Sequence, residues 1–140
     1  MSKANQIMRI CCNVHAASFV KNDPERGEWD DVSELQNPLG LSGEYTFVYD
    51  YPLSRVASFK HLLMPEFTGE DILVLARSDY EYIYEKEEQT AGNPGHIPGM
   101  LNRQSSDGPY GIWGHDFSDL YFEVINIDAT QMRITFGMGS

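Results

Sequence analysis

The sequence predicts an α+β domain: a mostly antiparallel sheet of about five strands, one long helix packed on one face, and a long Gly/Pro-rich loop. Three observations carry this. Several short runs alternate apolar and polar residues with period two, as half-buried strands do. Residues 69–90 keep an apolar stripe at helical period, with recognisable start and stop signals. Between residues 92 and 114, six glycines and three prolines interrupt both periods.

The first run is residues 7–16. Met8, Ile10, Cys12, Val14 and Ala16 fall on one face, and Ile7, Arg9, Cys11, Asn13 and His15 on the other. From Lys21 to Gly43 the chain is polar and rich in turn formers, with Trp29, Val32, Leu35, Leu39 and Leu41 as its anchors. A short element is allowed around residues 28–35. The cluster Glu25, Glu28, Asp30, Asp31 and Glu34 reads as a solvated face, since it lacks the spacing of a calcium loop. Glu44–Tyr51 alternates again, with Tyr45, Phe47, Tyr49 and Tyr51 on one face and Pro52 as the stop. Residues 53–64 fit either period; Pro65, which biases its predecessor to extended geometry, tips them to a strand.

The helix begins at Thr68, which can cap it, with Asp71 three residues on as the partner of a capping box. Ile72, Ala76, Tyr80 and Ile83 form the stripe, widened by Leu73, Leu75 and Tyr84; Gly92 and Asn93-Pro94 end it. Glu85, Glu87 and Glu88 crowd the negative pole of the helix dipole. This is unfavourable by a few tenths of a kcal/mol per charge unless a cation such as Arg103 meets them. Leu120–Asp128 and Met132–Met138 read as a closing hairpin, with Leu120, Phe122 and Val124 sharing one face and Met132, Ile134 and Phe136 sharing another.

At 140 residues the chain fits a single domain, and its 41% apolar content supports a packed core. Ten basic against twenty-one acidic residues, a net charge of −11, argue against binding nucleic acid or an anionic membrane. Cys11 and Cys12 are adjacent and cannot easily pair. With no apolar signal segment at the N-terminus, they imply a cytoplasmic, reducing environment.

Loops as long as residues 92–114 are usually functional, and Ile97, Met100, Leu101, Tyr110, Ile112 and Trp113 imply that this one packs down. Its polar side chains are the site candidates. His96, Arg103, His115 and Asp116 are the catalytic set to consider for acid–base cleavage of a small molecule such as a phosphodiester. Tyr84, Glu85, Glu88, Asn102, Arg103, Trp113 and His115 are the set to consider for binding. His115-Asp116 matches the doublet of metal-dependent His-Asp phosphohydrolases, but those need a helical scaffold and further ligands, so that class is set aside. His96 and His115 with Asp116 or Asp119 make a weak zinc pattern, and the expectation is that there is neither metal nor cofactor. Gly108, Gly111 and Gly114 follow neither the P-loop nor the dinucleotide spacing. The leading expectation is a non-enzymatic binding or assembly module with a protein partner or self-association. A small-molecule hydrolase and an acidic nucleic-acid mimic are the alternatives.

Overall fold

The computed structural model describes residues 7–21, 33–92, 94–99 and 102–140. The acidic cluster at residues 25–31, Trp29, Met100 and Leu101 lie outside them. Five strands form one sheet: β1 (Ile7–His15), β2 (Gly43–Tyr49), β3 (Ala57–Leu63), β4 (Tyr121–Asp128) and β5 (Arg133–Gly139), in the order β1-β4-β5-β2-β3. Every neighbouring pair is antiparallel except β2 with β5. The α+β reading therefore holds, with one parallel pair where the chain returns to the sheet centre.

The long helix α1 (Gly69–Ala91) starts as its capping signals imply. Thr68 Oγ1 accepts the Asp71 N–H at 3.3 Å, and Asp71 Oδ2 accepts the Thr68 N–H at 2.8 Å. Ile72, Leu73, Ala76, Tyr80, Ile83 and Tyr84 are buried. They meet Tyr45, Phe47 and Tyr49 of β2, Phe122, Ile125 and Ile127 of β4, and Ile134 and Phe136 of β5 in one core. Tyr49 stacks on Phe136 with ring centroids 5.4 Å apart and meets Tyr80 edge-on at 4.9 Å.

One strand face differs from its expected alternation. Phe122 points inward as predicted, but Val124 does not; Ile125 and Ile127 take the inward positions instead. The register of β4 against β5 shifts between Phe122 and Val124, so an extra residue flips the alternation. Gly137 stands opposite, where a Cβ would lie 3.2 Å from Val124 Cβ. Among the described residues no helix is long and apolar enough to cross a membrane.

Removing the start signal of α1 tests this account of the helix. Thr68→Ala should lower stability by about 1 kcal/mol, read as a shift in the urea midpoint at unchanged slope.

Candidate functional site

The segment after α1 is built onto the helix by one side chain. Glu87 is fully buried. Its carboxylate accepts the backbone N–H groups of Gly108 (2.9 Å), Tyr110 (2.9 Å), Gly111 (3.3 Å) and Ile112 (3.4 Å), and the Ser106 hydroxyl at 2.5 Å. Gly108 leaves the carboxylate its room: a Cβ there would come 2.5 Å from Glu87 Oε1, so the buried carboxylate would have to shift off its donors. Burial alone would raise the Glu87 carboxyl. The hydrogen bonds from Ser106 and from the N–H groups of Tyr110, Gly108 and Ile112 outweigh it and hold the group below the usual carboxylate range. Further backbone bonds fasten the segment, from Ser54 N–H to Gly111 O (2.8 Å) and from Trp113 N–H to Pro52 O (2.9 Å).

Arg103 is also buried, at 1% exposure. Its Nε lies 3.5 Å from Asp116 Oδ1, its Nη1 reaches Ser106 Oγ and the Ile112 carbonyl, and its guanidinium sits 5.7 Å from the Tyr84 ring centroid. Asp116 Oδ2 meets His96 Nε2 at 3.0 Å. Three of the four catalytic candidates are thus brought together, as an internal clamp. His96 stands at its exposed end and Arg103 is sealed inside.

His115 belongs to a different place. Gly114, at φ +75°, carries a tight turn in which the His115 N–H bonds the Trp113 carbonyl at 2.9 Å. The turn delivers His115 to an open recess of about 360 Å³, lined by Asn102, His115, Ser118, Asp119, Tyr121 and Ser140. His115 Nε2 is 3.2 Å from Ser140 Oγ, and Nδ1 is 4.0 Å from Asp119 Oδ2. Tyr51 Oη shares Ser140 Oγ at 3.0 Å, and the Tyr84 hydroxyl donates to the His115 carbonyl at 2.8 Å. Trp113, its ring 6.2 Å from that of His115, and Tyr121 are each 40% exposed.

Of the binding candidates, Asn102 and His115 line this recess and Trp113 stands next to it. Tyr84 supports it from beneath. Glu85 and Glu88 do not take part. Both are exposed, and Glu85 lies in a shallow cleft with Tyr82, Lys86 and Gln89. The carboxylate that matters on this helix is Glu87, and it meets backbone N–H groups rather than a cation. Ser118 and Asp119 reach the recess through the short 3-10 turn that follows His115, while Tyr121 and Ser140 come from the ends of β4 and β5, a long-range meeting that no local spacing announces. Among the described residues no group of three His, Cys, Asp or Glu side chains is placed to hold a metal ion. Burial pushes the Cys12 thiol up to about 12, which leaves it unreactive.

Comparison of the chain with protein-family models, curated proteins and solved structures finds no match.

Two stability experiments test the Glu87 anchor. Glu87→Ala leaves four backbone donors unpaired and should cost about 3 kcal/mol or more. Gly108→Ala should cost about 1–3 kcal/mol in the native chain, yet far less in a Glu87→Ala background, where its steric opponent is gone. Additive losses in that double-mutant cycle would refute the contact. The pH dependence has a definite sign. Asp71 is also held below its ordinary value: burial raises it, but the bonds from Lys21 and Thr68 prevail. With both folded-state values depressed, the stabilisation is complete above the unfolded carboxylate value of about 4.3 and is lost as pH falls through the folded values. The contribution of these two groups to the urea midpoint should therefore fall away below roughly pH 4.5, so that the acid-side decline is less steep in Glu87→Gln than in the native chain.

Proposed function

We propose that this chain is a non-enzymatic binding module that takes part of a protein partner into the recess beside His115. The observation that carries this reading is the recess itself. It is a hollow of about 360 Å³ with hydrogen-bonding side chains on its wall and an exposed Tyr121 among them. Exposed aromatic rings next to polar groups supply large contact area together with orientation, the usual make-up of binding hot spots. The anchoring of residues 106–112 to Glu87 supports the reading further: it fixes the start of the turn that carries His115, and a site that is already ordered costs little to engage. Arg103, the strongest candidate for phosphate chemistry, makes its contacts inside the protein, which weighs against the phosphodiesterase alternative.

A second reading has one observation in its favour. Ser140 Oγ, His115 Nε2 and Asp119 Oδ2 follow one another in the order of a nucleophile, a base and its orienting acid. The 4.0 Å gap from His115 to Asp119 exceeds a hydrogen bond, and Tyr51 competes for Ser140 Oγ. Acyl transfer therefore ranks second.

Selection of a displayed peptide library separates the two. Sequences should be enriched on the native protein and lost on Ser118→Trp, whose exposed position lets an indole fill the recess. A library with no sequence specific to the native protein would refute the binding module. Turnover of p-nitrophenyl acetate above buffer, abolished by Ser140→Ala, would promote acyl transfer in its place.

A further inference from the structure

We infer that the recess beside His115 selects a guanidinium group, so that the partner presents an arginine side chain there. The inference rests on the recess being the binding site and adds the chemistry of its occupant.

The charge around the recess is one-sided. Asp119 is the charged residue in its lining, with Asn102, Ser118, Ser140 and Tyr121 as neutral neighbours that can accept hydrogen bonds and His115 completing the wall. Asp119 is half exposed and meets only His115, at 4.0 Å, among the described ionic partners. Glu123 is a further carboxylate near the recess, though not in its lining. It lies so close over Gly139 that a Cβ there would come 2.7 Å from its Oε2. Gly139 pairs with Tyr121 and precedes Ser140, so Glu123 stands beside two recess residues. Among the described residues no lysine or arginine lines the recess. The neighbouring Arg103 is directed to Asp116, Ser106, the Ile112 carbonyl and the Tyr84 ring instead. The whole chain carries a net charge of −11, which draws cations and repels anions over distances of about a Debye length.

The rings favour the flat cation over the compact one. Tyr121 and Trp113 are each 40% exposed, and Tyr51 packs against both Trp113 and His115. A guanidinium stacks on such faces and presents several coplanar donors to a carboxylate and an amide oxygen at once. An ammonium is a strongly hydrated point charge that gains less from either.

The test uses four peptides, acetyl-Gly-Gly-Xaa-Gly-Gly-amide with Xaa as Arg, Lys, Leu or Glu, titrated into the full chain while backbone amide NMR shifts are followed. The Arg peptide should move Asn102, His115, Asp119 and Tyr121 saturably, the Lys peptide should bind more weakly, and the other two should leave those signals still. Asp119→Asn should weaken the Arg peptide about fivefold, as expected for a half-exposed carboxylate contact. Because Asp119 also accepts the Asp116 N–H at 3.1 Å, Glu123→Gln serves as a second variant that leaves this turn intact, with a loss of about twofold. Recess shifts with Leu or Glu but not Arg would overturn the cation while sparing the recess as a site. Equal binding of Lys and Arg would overturn the guanidinium, and unchanged affinity in both variants would overturn the carboxylates' role. Silence of the recess towards all four peptides would remove both the occupant and the site.

Discussion

The Glu87 carboxylate is the point on which the second half of the chain turns. A buried charge is tolerated only when its hydrogen-bonding capacity is filled, and here four backbone N–H groups and a hydroxyl fill it. The same bonds give residues 106–112, which have no ladder of their own, the partners that buried backbone needs. Helix and loop therefore satisfy each other's hydrogen-bonding groups. The residues that close the loop inherit that placement. Ile112 is driven into the core, and the Gly114 turn then starts from a fixed position.

Adjacent residues after that turn take opposite tasks. Asp116 turns to His96 and Arg103 and closes the loop on itself, while His115 opens to Ser140 and Asp119. Charge is balanced on the buried side, where Arg103 has Asp116, and left unbalanced on the open side, where Asp119 and Glu123 have no lysine or arginine partner among the described residues. A protein that needed His115 and Arg103 to act together would not bury one and expose the other. Glu87, the carboxylate that fastens residues 106–112, is thus distinct from Asp119, the carboxylate that lines the recess.

Much of the architecture was legible because it rests on local period. Tyr45, Phe47 and Tyr49 alternate into the core, and Thr68 with Asp71 marks the helix start, as their spacing implies. The break in β4 was not legible, because a bulge at Glu123–Val124 depends on the neighbouring strand and on Gly137 across from it, not on composition. The recess was only partly legible: of its lining residues Asn102 alone lies within residues 92–114, His115, Ser118 and Asp119 follow just after them, and Tyr121 and Ser140 come from the ends of β4 and β5. One signal did exist for Glu87. The stripe Ala76, Tyr80, Ile83 continues at helical spacing to residue 87, so a carboxylate falls where the pattern calls for an apolar side chain. Asp79 fits the same stripe, and it too is buried, accepting the Tyr49 hydroxyl and meeting His61 at 2.8 Å. A charge on an apolar stripe is a better pointer to an organising contact than the exposed acids beside it.

Magnitudes decide why the acid end of the helix is not a defect. A carboxylate near the C-terminal pole loses a few tenths of a kcal/mol to the dipole, whereas each hydrogen bond to a charged acceptor contributes roughly 1.5–3 kcal/mol. For Glu85 and Glu88 only the small loss applies, and solvent screens it. For Glu87 the loss is outweighed several times over, since the N–H groups of residues 108–112 point at it much as the free N–H groups of a helix start point at an anion. The loop thus behaves as a second positive pole set against the negative one of α1. That opposition holds the segment still, and with it the rim from which His115, Asn102 and Trp113 meet the solvent. On the proposed reading a partner meets a rim that is already ordered, so its contact energy goes into recognition rather than into folding the loop.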